Sequence, residues 1–414
     1  MVGKPKVTSA EPVGMLTLVA TAPARTRLVS TRNSTSYSPS VDFPSFPRLS
    51  FVAMNVIKAT RRYEEWLAER TGIVKKDLRL KHSAMKEAIF PFLRATYYRW
   101  AQLWPDTCPN LAKAPRALAV GDLHVENFGT WRDIEGRLIW GVNDFDEAYP
   151  LAYTNDLVRL AVSVHLAADA GHLPLQREET CEAILEGYRD GLQHGGLPFV
   201  LGERHVWLRQ IAEGELRDPV RFWAKMDALP TYKGDIPLSA IDALEHLMPA
   251  RDLKYRLAHR VAGLGSLGRS RYVALADWNG GKIAREAKAL VASAGYWAEG
   301  QKGSSEILYQ TVISRAIRCP DPFVQLRGRW IVRRLSPHCS RIELTQMKAQ
   351  GKEIRLLHSM GWETANIHLE TRNATKPILR HMNKQRGKWL HEASAAMLKV
   401  VRDDWKTWKR QGYE

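Results

Sequence analysis

The chain has 414 residues, 45% of them hydrophobic and 25% charged, which suits a soluble globular protein with a substantial core and two or three structural units. No apolar run approaches the ~18 residues of a membrane span. The four cysteines, Cys108, Cys181, Cys319 and Cys339, form no CxxC pair, so neither a disulfide framework nor a zinc site is expected and a reducing, cytoplasmic location fits. A formal net charge of +17 favours anionic partners: nucleotides, nucleic acid or acidic surfaces. Residues 371–414 hold 11 Lys/Arg against 4 Asp/Glu, which reads first as a solvated basic helix face.

Residues 1–48 are rich in Ser, Thr and Pro and read as a disordered leader. Lys4 and Lys6 before "PVGMLTLVATAPA" loosely imitate a signal peptide, but Glu11 breaks the pattern. Helical patterning begins near Ala53. A second helical segment, "MKEAIFPFLRATYYRWAQLW", places Ile89, Phe92, Leu93, Tyr97, Trp100 and Leu103 on one face. "RALAV" (116–120) predicts a short strand entering "GDLHVENFG" (121–129). "RDIEG" predicts a turn and "RLIWGV" (137–142) a buried strand ending in "NDFDEA". "NDLVRLAVSVHLAADAG" follows as a helix with Asn155 and Asp156 at its cap, and helical sequence continues to about residue 254.

From residue 255 to 336 the texture is β-rich. "HRVAGLGSLGRSRYVALADWNGGKIAREAKALV" reads as strand, glycine turn, strand, turn, strand, and "VQLRGRWIVRRL" adds two more. The remainder, 337–414, is helical. Trp389, Ala393, Met397, Val400 and Trp408 form a stripe expected to be core.

Asp122 and Asn127 stand five residues apart, and Asp144 follows seventeen residues later at a strand end. Phosphoryl transfer needs a carboxylate to orient and deprotonate an acceptor hydroxyl, with an amide oxygen and a second carboxylate to hold magnesium against phosphates. Magnesium is a hard cation that prefers such oxygen donors. Singly, each of these residues could equally cap a turn or end a strand. Asp146 alternates with Asp144 and reads as a supporting or second metal contact, while His124 either contacts phosphate or packs beneath the loop.

This spacing, with "GDLHVEN" and "GVNDFDEAYPLAYTNDLVRLA", resembles the catalytic and metal loops of the protein-kinase-like fold, and within it the aminoglycoside and choline phosphotransferases. Val120 stands where that branch carries a histidine before Gly-Asp. "FLRAT", "GDLHVENFG", "NDFDEA", "DLVRLAVS" and "GLGSLG" resemble still more closely the uncharacterised bacterial proteins of domain-of-unknown-function family 2252, over roughly residues 80–370. The resemblance implies an α+β, bilobal fold. It also implies ATP and Mg2+ as ligands, with Asp122 and His124 catalytic and Asn127, Asp144 and Asp146 at the metal.

"GLGSLG" has the G-x-G-x-x-G spacing, a weak signal alone, and implies nucleotide contacts from Gly263, Gly265, Ser266 and Gly268. Of Lys282, Arg285 and Lys288, the preferred phosphate contact is Lys288, with Arg285 the alternative and Glu306 its expected acidic partner. The catalytic loop precedes the glycine turn by some 140 residues, the reverse of the usual order. The expected architecture is therefore circularly permuted: a large lobe over 49–254, a small nucleotide-clamping lobe over 255–336, and C-terminal helices over 337–414 returning to the large lobe. The expected activity is phosphoryl transfer to a small-molecule or protein hydroxyl. AMP transfer and a non-catalytic nucleotide-binding module are the alternatives. Nucleic-acid binding is disfavoured because no aromatic–basic alternation is visible.

Overall fold

The computed structural model describes residues 54–171, 175–202, 204–212, 218–301, 303–339 and 352–412. The expected leader lies outside the described residues. What is described is a mixed α+β chain with several small antiparallel sheets.

Asn55 caps α1 (Val56–Ala68), its side chain accepting from the Lys58 amide at 2.9 Å. Val56, Ala59, Tyr63, Trp66 and Leu67 bury the face that the i, i+3, i+4 spacing defines. The helical segment expected next is three helices: α2 (Lys75–Glu87), α3 (Ile89–Ala95) and α4 (Tyr97–Thr107). Pro91 has no N–H to give the carbonyl a turn earlier, and the chain is extended at Ala88 (φ −146°, ψ 154°), where α2 stops. A second break falls at Thr96, whose hydroxyl donates to the Phe92 carbonyl at 2.7 Å.

Four short strands follow. β1 (Arg116–Ala119) pairs antiparallel with β4 (Tyr149–Ala152), and β2 (Phe128–Arg132) pairs with β3 (Leu138–Val142). The β2–β3 turn is the "RDIEG" stretch, closed by Asp133 Oδ1 accepting from the amides of Glu135 and Arg137. This pairing has one functional consequence. The 120–127 loop joins β1 to β2 and the 143–148 loop joins β3 to β4, so the two acidic loops emerge side by side.

α5 (Tyr153–Asp169) is buried from Tyr153 to Ala167, the centre of the main core. Asn155 and Asp156 were expected to cap it; they lie inside its first turn instead, because β4 runs directly into the helix at Ala152. α6 (Arg177–Gln193) is followed by β5 (Phe199–Val200), which extends the β2–β3 pair. α7 (Val206–Ala212), α8 (Pro219–Asp227) and α9 (Leu238–Glu245) complete the first half.

The second half builds a five-stranded antiparallel sheet from β6 (Arg256–His259), β7 (Arg271–Trp278), β8 (Gly281–Ala289), β9 (Gln325–Arg327) and β10 (Trp330–Leu335), in the order β6-β7-β8-β10-β9. The β7–β8 turn is Asn279–Gly280, both with positive φ, the twist that a tight hairpin favours. Period-2 alternation sorts its side chains. Tyr272, Ala274, Ala287, Ala289 and Val332 pack under α9, while Val273, Leu275, Ala284 and Leu335 pack under α8. Two short helices, α10 (Ala294–Ala298) and α11 (Tyr309–Arg315), interrupt the β-rich stretch and pack into the main core. The chain ends in α12 (Glu353–His368), α13 (Thr375–Lys384) and α14 (Trp389–Gln411). On α14, Trp389, Ala393, Met397 and Trp408 are buried as expected, with Val401 in place of Val400. No helix among the described residues is long and apolar enough to cross a membrane.

Candidate functional site

Val120 and Gly121 turn the chain out of β1. Gly121 has φ +79°, and a Cβ there would sit 2.3 Å from the Glu147 carbonyl oxygen, so only glycine fits. The turn is pinned by fully buried Asp156, which accepts from the amides of Val120 at 2.7 Å and Gly121 at 3.0 Å and faces His368 at 3.1 Å. Two backbone donors that would otherwise be orphaned in the core are thereby satisfied.

Asp122 follows, facing a cavity of about 510 Å3 that Asn127, Asp144, Asp146, Gly263 and Gly265 also line. Its Oδ1 accepts from Arg159 Nε at 2.9 Å, and the same guanidinium donates to the Leu93 carbonyl. Arg159 is completely buried between the rings of Trp100 and Tyr97. Burial pushes the Asp122 carboxyl up to about 7, against the opposing pull of Arg159. The result is a carboxyl group oriented by Arg159 and biased by burial toward its protonated form.

Asn127 closes the loop on itself. Its Oδ1 accepts from the His124 amide at 2.8 Å, while His124 Nδ1 accepts from the Glu126 amide at 3.2 Å. His124 is buried with its ring edge-on to Phe90, and both His124 and Asn127 line the cavity.

Across the neighbouring loop, Lys288 Nζ donates to Asp146 Oδ1 at 2.6 Å and Asp144 Oδ1 at 3.3 Å. The lysine side chain is 3% exposed and the Asp144 side chain 28%. Burial first, and then the charge of Asp144, push the Asp146 carboxyl up to about 6, with Lys288 and Arg269 pulling the other way. Arg269 also bonds Glu147 at 3.1 Å, and Glu147 accepts from the Ala294 amide at the start of α10. Asn127, Asp144 and Asp146 supply only oxygen donors, and among the described residues no group of three His, Cys, Asp or Glu stands ready for a metal. Two carboxylates and an amide, completed by phosphate and water, fit magnesium and not a thiolate- or imidazole-loving metal.

The glycine turn joins β6 to β7. Gly263 and Gly268 have positive φ, and Leu264–Ser266 form a single 3-10 turn. At Gly265 a Cβ would come 3.1 Å from the Arg94 carbonyl and 3.4 Å from Asp122 Oδ2, which puts the turn directly against the acidic loop. Lys81 of α2 holds it there, donating to the Gly265 carbonyl at 3.2 Å; burial lowers that lysine to about 8. Ser266 is turned inward, donating to the Gly263 carbonyl and accepting from Arg271. Gly268 lies against Leu78 of α2, away from the cavity.

Two expectations change. Arg285 projects from the opposite face of β8 to Lys288, where it packs over Phe323 at 4.6 Å and donates to the Leu247 carbonyl. Glu306 bonds the Tyr296 hydroxyl, and the acids at Lys288 are Asp144 and Asp146. Sequence reasoning missed Arg159, Lys81 and Arg269. Arg159 left one signal, a lone guanidinium inside the apolar run "LVRLAV".

Residues 73–198 match the model of a family described as "Uncharacterized protein conserved in bacteria (DUF2252)". The matched stretch carries both acidic loops and α5 and stops short of the glycine turn, a narrower span than the motifs alone suggested. Comparison with curated proteins and with solved structures found no match.

Proposed function

We propose that the chain is an ATP- and magnesium-dependent phosphotransferase acting on a hydroxyl of a small molecule or protein. We read it as a bilobal, protein-kinase-like fold whose lobe order is circularly permuted. The observation that carries this reading is the approach of Gly265 to Asp122. A glycine turn between the first two strands of an antiparallel sheet stands against a D-x-x-x-x-N loop, with a lysine on the third strand paired to the following strand-end aspartate. Protein kinases assemble the same parts: a glycine-rich loop over the phosphates, a lysine on the third strand, and catalytic Asp, Asn and metal-binding Asp beneath. Here 255–336 would be the small lobe, with 49–254 and 337–414 contributing the large one.

Asp122 is the general base. It reaches the cavity, Arg159 fixes its orientation, and its raised pKa keeps proton acceptance matched to neutral pH. Asn127, Asp144 and Asp146 would hold magnesium, which when bound neutralises phosphate charge. Lys288 balances the two carboxylates until then and is placed to release one of them toward the cavity. Gly265 keeps the turn backbone close, since a Cβ there would sit 3.1 Å from the Arg94 carbonyl oxygen, tighter than an ordinary contact.

The test is incubation of the full chain with magnesium and ATP labelled separately at the α and γ phosphates. Label from the γ position alone leaving ATP, abolished by Asp122→Asn while ATP still binds, supports the reading. Transfer of α label means AMP transfer on the same scaffold, and nucleotide binding without label movement means a non-catalytic module.

A further inference from the structure

Glu286 sits at the centre of β8 with no exposed surface, on the face of the sheet that looks into the cavity. A lone buried carboxylate there would be very costly, yet three guanidiniums converge on it. Arg271 Nη1 donates to Oε1 at 2.7 Å, Arg333 donates to Oε1 through Nε at 2.8 Å, and Arg260 Nη1 donates to Oε2 at 2.7 Å. Burial alone would raise its pKa, but these arginines outweigh it and hold the carboxyl well below the ordinary range. The strand register makes the arrangement: Glu286 is the cross-strand partner of both Arg333 and Val273, with Arg260 just beyond the end of β6.

The three arginines divide the work. Arg271 is buried and its second nitrogen donates to Ser266 Oγ at 2.8 Å, tying the glycine turn to the sheet. Arg260 and Arg333 keep about a quarter of their side chains exposed, 26% and 24%, and both line the cavity. One carboxylate among three guanidiniums leaves a local excess of positive charge on that wall. Asp144 is the acid of the opposite wall whose charge Arg333 also feels.

The geometry points to a polyphosphate clamp: Arg260 and Arg333, spread and oriented by Glu286, grip the phosphate chain of the ligand from the sheet side of the cavity. Guanidinium forks suit phosphate oxygens, and groups already immobilised on a buried carboxylate lose little freedom on binding. Glu286 is a positioning residue and touches no ligand. The identity of the ligand as a nucleotide rests on the reading above; the clamp itself requires only a polyphosphate.

Isothermal titration calorimetry of the full chain with inorganic tripolyphosphate, and separately with ATP and magnesium, tests this. Arg260→Ala and Arg333→Ala should each weaken tripolyphosphate binding by about tenfold to a hundredfold, the loss of one charge-assisted contact. Lys388→Ala, which removes a charge from an exposed pair with Glu178, should bind as the wild type does. If Arg333→Ala fails to fold, Arg260→Ala decides alone. Wild-type affinity in the arginine variants, or no tripolyphosphate binding by the wild type, overturns the clamp. Binding of tripolyphosphate but not ATP keeps the clamp and removes the nucleotide reading; undiminished ATP binding by both arginine variants does the reverse.

Discussion

Lys288 and Asp146 meet at 2.6 Å although 142 residues of chain separate them. That contact joins the third strand of the five-stranded sheet to the loop after β3, and it places one lysine between two aspartates that would otherwise repel each other.

Removing the lysine should therefore cost more than a surface ion pair would. Lys288→Ala leaves Asp146 buried beside Asp144 with Arg269 at 3.6 Å as its remaining ion-pair partner among the described residues, and loss of one partner of a buried pair costs about 3 kcal/mol. Urea unfolding at neutral pH should register that loss. Millimolar magnesium should restore part of it in the variant and less in the wild type, because a divalent ion can take the place of the ammonium group. Unchanged stability in Lys288→Ala would contradict the pairing.

Buried acids set a pH dependence, and two of them stand highest. Asp122 and Glu363 are both pushed up to about 7, each by burial first, with Arg159 and Arg318 respectively pulling down. An acid whose pKa is higher folded than unfolded takes up a proton on folding. Its contribution is greatest below about 4 and is lost as pH rises toward 7, at up to about 1.4 kcal/mol per pH unit per group. Melting temperature should accordingly fall between pH 5 and 7.5, after allowance for other groups, and Asp122→Asn should flatten the slope. A slope identical in wild type and Asp122→Asn would contradict the raised pKa.

Much of this site was legible because its parts are local in sequence. The strand–loop–strand reading of 116–142 and the D-x-x-x-x-N spacing needed no tertiary information, and the glycine turn announced itself between two strands. What was illegible depended on partners far away. Asp156 reads as a helix cap, and its role in pinning Gly121 exists only because β1 and α5 pack together. Glu286 and Arg333 look like charges on the exposed face of a strand, since alternation fixes which residues share a face but not whether that face meets solvent. Arg285 and Lys288 differ by three positions, an odd number, which along an extended strand already puts them on opposite faces. The break at Ala88 was likewise available from Pro91, but continuous apolar periodicity masked it.

Gly265 tests the close approach of the turn to the acidic loop. A valine there would put its branched carbon 3.1 Å from the Arg94 carbonyl oxygen and 3.4 Å from Asp122 Oδ2, and its two methyls would add bulk to an already tight contact. The turn must lift, so Gly265→Val should lose stabilisation by ATP and magnesium while its melting temperature without ligand stays within a few degrees of wild type. Calorimetric or dye-based melting with and without ligand reads both quantities. Retained ligand stabilisation in Gly265→Val would show that the turn is not part of the site.

In the proposed function, nucleotide binds between the glycine turn and the acidic loops through a metal held by Asp144. Isothermal titration of ATP into the full chain, with magnesium, with a chelator, and into Asp144→Ala with magnesium, tests it most directly. Binding should be saturable and one-to-one in the first case and weaker by at least about tenfold in the other two, the scale of one strong ionic contact. ATP binding that is indifferent to both magnesium and Asp144, or absent altogether, would contradict it.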